Sequence, residues 1–211
     1  MHSHPPFVLG AVILAAGRSS RMGTPKLLLP WLGTTVIGHL VQTWQQLGAT
    51  QIAVVHATAD HGLLPELDRL RFPPESRIAN SKPDEGMFSS IQCATNWEGW
   101  RPEVTHRGII LGDQPHLLMT ELSRFLAFCR NEAGFICQPS RNGRSRHPVI
   151  LPKSAWQSLQ RCETGTLKDF LQINAGNIKT FESADPGLEL DLDQPEDYRK
   201  ALGLLTGPDL V

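Results

Sequence analysis

An unbroken apolar run, VLGAVIL at residues 8–14, is the feature that most constrains how this chain folds. A strand with one face in water alternates apolar and polar residues, whereas a strand inside a parallel sheet is covered on both faces. The run therefore predicts a central strand. Further strand-like runs at residues 51–57 and 108–111 are separated from it by apolar residues at helical spacing. Such alternation of strands and helices predicts an α/β fold with a mainly parallel sheet.

The rest of the chain continues this alternation. Further strands are predicted at residues 77–80, 135–138, 147–151 and 178–182. Helices are predicted at residues 36–47, 63–70, 86–97, 154–160, 166–174 and from residue 195 onward. Thr120 is predicted to cap another helix, whose buried side consists of Leu122, Phe125, Leu126 and Cys129. Because no repeat or long linker divides the 211 residues, we expect one domain over residues 1–211.

Charge, cysteine content and hydropathy exclude several classes of protein. The 20 lysines and arginines nearly balance the 21 aspartates and glutamates, which argues against a broad nucleic-acid surface. The four cysteines form neither a CxxC pair nor a disulfide framework, so we expect free thiols. No apolar run approaches the roughly 20 residues of a membrane span, and MHSHPPF is not a signal peptide. We therefore expect a soluble, cytoplasmic protein with neither a nucleic-acid nor a membrane partner.

The loop after the first strand has the composition of a phosphate-binding segment. Its sequence, LAAGRSSRMGTPK at residues 14–26, contains two glycines and three basic residues but no acid. Small residues let backbone N–H groups approach an anion, and ligands of α/β folds bind at the carboxyl ends of strands. A solvated basic turn is the alternative, and neither GxGxxG nor GxxxxGK[ST] fits the spacing. The candidate phosphate ligands are the backbone of Leu14, Ala15, Ala16 and Gly17 and the side chains of Arg18 and Lys26.

Two acidic positions suggest a divalent cation. Asp113 lies at the carboxyl end of the strand predicted at residues 108–111. The alternative to a metal ligand is that Asp113 forms a turn before Pro115. The segment LELDLD at residues 188–193 alternates strictly, so an extended chain would bring its three carboxylates to one face. Asp193 is locally explained as well by capping the next helix as by binding a metal. A nucleoside triphosphate is normally handled with Mg²⁺, which binds carboxylates and phosphate oxygens, and this favours the metal.

These motifs together resemble the nucleotidyltransferases that build molybdenum-cofactor dinucleotides. LAAGRSSRMGTPKLLLP resembles their nucleotide-binding opening, GDQP their metal-binding strand end, and DLDQPEDY their C-terminal acidic motif. The resemblance implies a Rossmann-like fold of the nucleotide-diphospho-sugar transferase (GT-A-like) type, with helices flanking the sheet. It also implies that Asp113 and Asp193 hold Mg²⁺, with Asp191 as a weaker candidate.

Other segments of the chain extend the resemblance. NSKPDEGMFSS at residues 80–90 resembles the segment that closes around the base and ribose. That likeness implies nucleotide contacts from Asn80, Gly86 and Ser90, and an ordinary helix start is the alternative. GRSRHPVIL at residues 143–151 resembles the acceptor-side loop, in which arginines meet an anionic acceptor or are solvated.

The reaction that the resemblance implies is transfer of a nucleoside monophosphate to a phosphorylated acceptor, with release of pyrophosphate. Arg18, Lys26 and Asp113 are its implied catalytic residues. LAAGRS with GDQP looks more like the cytidylyltransferases than the guanylyltransferases, which favour LAGGR, so CTP is implied rather than GTP. Molybdopterin is the implied acceptor, and a molybdoenzyme or a chaperone is the implied protein partner. Residues 163–168, ETGTLK, depart from a GDxGAR-like run of the cytidylyltransferases and keep only its glycine.

Three other functions stay open. One is transfer to another acceptor, such as a sugar phosphate. The second is a non-catalytic nucleotide-binding or chaperone role, which predicts binding without release of pyrophosphate. The third is a dinucleotide-dependent oxidoreductase, which the missing GxGxxG fingerprint disfavours.

Overall fold

A sheet flanked by helices organises the chain. The computed structural model describes residues 6–17, 22–163 and 165–205. The strands are β1 (Leu9–Leu14), β2 (Pro30–Trp31), β3 (Thr34–Thr35), β4 (Gln51–Ala57), β5 (Arg77–Asn80), β6 (His106–Leu111), β7 (Ile136–Arg141), β8 (Arg144–Ser145), β9 (Val149–Pro152) and β10 (Ile178–Glu182). The helices are α1 (Val36–Gln46), α2 (Leu63–Arg69), α3 (Met87–Thr95), α4 (Met119–Asn131), α5 (Lys153–Gln160), α6 (Leu167–Ile173) and α7 (Pro195–Leu204).

The sheet is mainly parallel, as the sequence predicts. Its strand order is β10-β7-β9-β6-β1-β4-β5, with the short β8 paired to β7. Strands β6, β1, β4 and β5 run parallel, and β10 is parallel to β7. Strand β9 is antiparallel to both β6 and β7. Strand β1 therefore lies between two parallel neighbours, so that its carboxyl end opens at the edge where ligands of such sheets bind.

Helices cover both faces of β1, which explains its apolar run. Ala11 and Ile13 pack into the core beneath α1, α2 and α4, whereas Val12 packs on the opposite face beneath α3, α5 and α6. All three side chains are 0% exposed. Because successive side chains of a strand point to opposite faces, neither face of this strand admits a polar residue.

Most helix boundaries follow local signals, and one predicted cap is wrong. Helix α1 ends before Gly48, whose φ of 85° suits glycine, and Thr166 caps α6 by accepting a hydrogen bond from the Asp169 amide. Thr120, in contrast, is the second residue of α4, for which Leu118 is the N-cap. The Leu118 amide donates to the Asp185 carboxylate at 3.4 Å. A long-range partner thus supports the entry into this helix, and the local threonine does not cap it.

The alternating segment before α7 is not extended throughout. Residues Pro186–Glu189 form a 3₁₀ turn, which Asp185 begins by accepting a hydrogen bond from the Gly187 amide at 2.7 Å. The turn directs Glu189 toward Arg141 and Arg146, each 3.1 Å away. The expectation that three carboxylates share one face is therefore wrong, because the proline and the aspartate cap override the alternation.

None of the helices within the described ranges is long and apolar enough to cross a membrane. The cysteines Cys93, Cys129, Cys137 and Cys162 are free thiols, and two of them are buried.

A buried arginine lies at the end of β6 that is remote from Asp113. The guanidinium of Arg107 lies 5.1 Å from the ring centre of Trp100 and 5.7 Å from that of Trp156. The side chain is only 6% exposed, and its Nε and Nη1 have no hydrogen-bond partner among the described residues. Burial lowers the pKa of Arg107, since the charged form loses its hydration.

We expect Arg107→Met to raise the free energy of unfolding by about 1 kcal/mol. Each unsatisfied buried donor costs about 1–3 kcal/mol, whereas a desolvated cation–π contact contributes about 2 kcal/mol. Methionine fills the same space between the tryptophans without a donor. Urea unfolding monitored by tryptophan fluorescence checks the change, with Arg107→Lys as the variant that keeps the charge. A methionine variant less stable than wild type would contradict this account.

Candidate active site

A cavity of about 310 Å³ opens at the carboxyl ends of β1 and β6. Its walls come from the loop after β1, the turn at Lys26, the start of α3 and the end of β6. The lining includes most of the predicted site residues, namely Leu14, Ala15, Ala16, Gly17, Lys26, Gly86 and Ser90, which were predicted to bind the nucleotide, and Asp113, which was predicted to bind the metal. Arg18 lies outside the described residues. The cavity is of the size usual for small-molecule sites.

The carboxyl ends of β1 and β6 approach each other at Gly112. The Gly112 amide donates to the Leu14 carbonyl at 3.1 Å. A Cβ atom at this position would lie 2.6 Å from the same carbonyl oxygen, so only glycine fits. This close contact holds the loop that follows β1 beside Asp113. Sequence reasoning missed the role of Gly112, although a glycine directly after a buried strand is a visible signal.

Lys26 lies between two of the predicted acidic residues. Its ammonium is 2.7 Å from Asp113 Oδ2 and 3.6 Å from Asp193 Oδ1. Lys26 begins the 3₁₀ turn Lys26–Leu28, and the buried side chain of Leu27 fixes that turn to the core. The structure therefore brings together one lysine and two carboxylates from three distant segments.

Asp193 is not the cap of α7. Gln194 is the N-cap, and its amide donates to the Asp197 carboxylate at 3.0 Å in a capping box. Asp193 instead lies next to Lys26, because the preceding Leu192 amide donates to the Asp113 carbonyl at 3.1 Å. Of the two explanations that the sequence leaves open, capping is excluded.

Asp191 adds negative charge to the same region. Gln114 donates from Nε2 to Asp191 Oδ1 at 2.9 Å, and the glutamine is 6% exposed. Burial raises the pKa of Asp191, and the charges of Asp113 and Asp193 raise it further. A cation bound near these carboxylates would oppose that shift, because it favours their charged forms.

The donor set fits a hard divalent cation that is shared with phosphate. Asp113 Oδ1 is buried and has no hydrogen-bond partner in the described part of the chain, so a cation would satisfy it. No three His, Cys, Asp or Glu side chains among the described residues are grouped so as to hold a metal by themselves. Mg²⁺ commonly takes one or two carboxylates together with substrate phosphates, which is what Asp113 and Asp193 offer.

Asn80 supports the cavity without lining it. Its side chain is 1% exposed and donates to Ser89 Oγ at 2.9 Å and to Ser90 Oγ at 3.0 Å. Its own Oδ1 accepts from the Lys82 amide at 2.8 Å. Asn80 therefore fixes the start of α3, while Gly86 and Ser90 reach the cavity wall.

A second cavity, of about 670 Å³, adjoins the first, and Met87 lines both. Its cationic side chains are Arg144, Arg146 and Lys168. Arg146 is paired with Glu189 at 3.1 Å, whereas Arg144 and Lys168 form no ion pair with a described residue. Burial lowers the pKa of the His147 imidazole, because the charged form loses its hydration. The sequence suggested Arg144 and Arg146 as acceptor contacts but did not single out Lys168 or Met87.

Solved structures with the same fold include several nucleotidyltransferases. A nucleotidyl transferase from Methanothermobacter has a TM-score of 0.74 at 22% identity, covering 94% of this chain and 98% of its own. The protein Rv0371c of Mycobacterium tuberculosis, in complex with manganese, has a TM-score of 0.64 at 23% identity. That match covers 93% of this chain and 98% of the other. These similarities establish the fold.

Two of three curated relatives are similar over most of the chain. A molybdenum cofactor cytidylyltransferase of Escherichia coli is 26% identical, covering 90% of this chain and 93% of the relative. A probable molybdenum cofactor guanylyltransferase of Rhodopirellula baltica is 46% identical, but over only 44% of this chain and 42% of the relative. A nicotine blue oxidoreductase of Paenarthrobacter nicotinovorans is 25% identical, over 93% of this chain and 97% of the relative.

The curated relative that covers 90% of the chain and the fold shared with solved nucleotidyltransferases identify the chain as a nucleotidyltransferase. The family model of the MobA-like NTP transferase domain matches residues 11–179, which is most of the chain. The chain therefore belongs to the MobA-like NTP transferase family, and the predicted resemblance is confirmed.

Proposed function

We propose that this protein transfers CMP from CTP to a phosphorylated acceptor, molybdopterin, in a Mg²⁺-dependent reaction that releases pyrophosphate. The observation that carries the proposal is the cluster of Lys26, Asp113 and Asp193 at the cavity behind the phosphate loop. The similarity to a molybdenum cofactor cytidylyltransferase over 90% of the chain supports the choice of donor and acceptor.

In this reaction an oxygen of the acceptor phosphate attacks the α-phosphorus of CTP. The bond from the α-phosphorus to the oxygen bridging the β-phosphate breaks, and pyrophosphate leaves. The acceptor phosphate is already anionic, so the chain needs no general base, and positioning and charge stabilisation are its main tasks. The Ala15 amide donates to the Val55 carbonyl at 2.8 Å, so the backbone amides of Ala16 and Gly17, together with the ammonium of Lys26, would bind the triphosphate. Mg²⁺ bound by Asp113 and Asp193 would neutralise charge that develops on phosphate oxygens.

The second cavity is our proposed acceptor site. It adjoins the nucleotide cavity at Met87 and presents Arg144 and Lys168 to an anionic group. Val149, Leu171 and other apolar side chains form the rest of its wall and suit a flat organic ring system. Lys168 belongs to residues 163–168, the segment that departs from the GDxGAR-like run of the cytidylyltransferases. Lys168 would supply the positive charge that the arginine of that run carries.

CTP is proposed as the donor because Ala16 lines the nucleotide cavity at a position where guanylyltransferases favour glycine. The residue is 8% exposed, so its methyl group narrows the cavity from a fixed position. We expect Ala16→Gly to relax selection toward GTP by about 1–2 kcal/mol, the usual contribution of one methyl group in a pocket. A competition between CTP and GTP, read as the dinucleotide formed, measures the shift. An unchanged product ratio would remove Ala16 from base selection.

The direct test of the function is pyrophosphate release with each of the four triphosphates, with and without molybdopterin. We expect release with CTP only when molybdopterin is present, together with formation of the dinucleotide. Pyrophosphate release with a sugar phosphate, and none with molybdopterin, would show that the acceptor is a sugar phosphate and not molybdopterin. The similarity to an oxidoreductase makes NAD(P)H binding the necessary parallel assay. Cofactor oxidation without any pyrophosphate release would overturn the proposal.

A further inference from the structure

Met87 lies where the nucleotide cavity and the second cavity meet. It lines both, and 45% of its surface is exposed. The other large apolar side chains exposed in the described ranges, Leu32 and Ile173, line neither cavity. A single exposed apolar residue is common on protein surfaces. One that lines two adjoining cavities, the first with Lys26 and the second with Arg144 and Lys168 in its wall, needs a specific explanation.

The backbone beneath Met87 is held firmly. Gly86, with a φ of 89°, turns the chain into α3, and its carbonyl accepts a hydrogen bond from Ser89 Oγ at 2.8 Å. The buried Asn80 donates to that same hydroxyl at 2.9 Å. The next residue, Phe88, packs in the core. Since both sides of the residue are anchored, the fold itself sets the position from which the Met87 side chain projects.

An apolar side chain at this junction suits a transfer reaction that must avoid water. A group bound in the second cavity and a nucleotide bound in the first would react across the boundary formed by Met87. Water competes for the same phosphorus and is far more abundant than any acceptor. A flexible thioether packs against differently shaped neighbours and offers water no strong hydrogen bond.

We propose that Met87 is a specificity-determining residue that selects the acceptor over water as the nucleophile. The inference rests on the proposed function, because it takes the two cavities as donor and acceptor sites. In the suppressed reaction a water oxygen attacks the α-phosphorus, and the bond to the bridging oxygen of the β-phosphate breaks. The products are a nucleoside monophosphate, pyrophosphate and a released proton. Met87 covers the approach of that water and contacts the bound acceptor.

The test compares Met87→Ala, Met87→Leu and wild type with CTP, Mg²⁺ and molybdopterin. We expect the alanine variant to raise the ratio of CMP to dinucleotide by about tenfold or more, as expected when a pocket loses several contact atoms. The KM for molybdopterin should rise, while the affinity for CTP should change little. The leucine variant should restore the wild-type ratio, because it returns most of the apolar volume. Leu32→Ala is the matched control, an exposed apolar residue away from both cavities.

The outcomes separate this inference from the function on which it rests. An alanine variant that folds, by circular dichroism and thermal melting, and transfers CMP with the wild-type ratio would overturn the role of Met87 alone. An equal loss of transfer and hydrolysis would also overturn it, because a merely structural role predicts that pattern. Absence of any transfer by wild type would overturn the proposed function and the inference with it.

Discussion

Asp113→Asn is expected to lower turnover about a thousandfold or more while leaving the fold intact. The substitution keeps the shape of the side chain but removes a charge that faces Lys26 at 2.7 Å. Asp113 also carries the buried oxygen that has no hydrogen-bond partner among the described residues. Loss of a metal ligand removes several kcal/mol of transition-state stabilisation. Because roughly 1.4 kcal/mol of activation free energy corresponds to a tenfold change in rate, that loss lowers turnover about a thousandfold or more. Pyrophosphate release at saturating Mg²⁺, together with thermal melting, measures both effects.

Asp193 provides a second test of the proposed metal site, and Asp197 provides the matched control. Asp193→Asn should lower turnover in the same way, because Asp193 is the second carboxylate next to Lys26 and does not cap α7. Asp197→Asn removes part of the capping box, and it should cost about 1 kcal/mol of stability with little change in rate. Near-normal turnover of the Asp113 variant would remove this residue from the metal site. A large loss of rate in the Asp197 variant would mean that removing any negative charge near the site lowers turnover, and that the effect is not specific to Asp113 and Asp193.

The parts of the fold that the sequence predicted are those in which local and tertiary forces agree. Both faces of β1 are buried, so a run of apolar residues there is enough to predict a central strand. The predicted helix boundaries held where a local residue supplies the cap, as Gly48 and Thr166 do. Thr120 fails as a cap because Asp185, which lies 65 residues later in the chain, supports that helix entry.

The prediction that the carboxylates of residues 188–193 share one face is wrong for a related reason. Period-two patterning predicts an extended chain only when no turn residue interrupts it, and the sequence Asp185-Pro186-Gly187 favours a turn. The hydrogen bond from the Gly187 amide to Asp185 forms that turn. Only the end of the segment, with Asp191 and Asp193, reaches the acidic site, while Glu189 binds two arginines.

The candidate site was predictable in its motifs but not in its supporting contacts. The motifs contain the loop, Lys26 and Asp113, because the loop and Asp113 follow buried strands and Lys26 belongs to the same basic segment as the loop. The hydrogen bond between Gln114 and Asp191 joins residues 77 positions apart, and no sequence spacing reveals it. Met87 and Lys168 likewise line one cavity from different segments. Such contacts depend on how the strands are ordered in the sheet, which a local pattern does not encode.

Lys26→Ala is expected to have two effects of opposite sign. It should weaken CTP binding roughly 10- to 100-fold, the equivalent of one charge-assisted hydrogen bond, and weaken CMP binding much less. The reason is that a point charge contributes most beside the densest negative charge, which is on the β- and γ-phosphates. The same substitution removes the cation that neutralises Asp113 and Asp193. Mn²⁺ alone should therefore bind more tightly to the variant than to wild type.

The opposite signs make the experiment on Lys26 decisive. A variant that merely unfolds would lose affinity for CTP, CMP and Mn²⁺ together, whereas removal of a competing ammonium raises affinity for Mn²⁺ only. Titration of Mn²⁺ followed by electron paramagnetic resonance reads that affinity without nucleotide, and calorimetry reads CTP and CMP. Lys179→Ala is the matched control, since this lysine lies 4.0 Å from Glu132 and lines neither cavity. Equal losses of affinity for CTP and CMP would show that Lys26 does not contact the β- and γ-phosphates. An unchanged affinity for Mn²⁺ would show that Lys26 does not compete with the metal for Asp113 and Asp193.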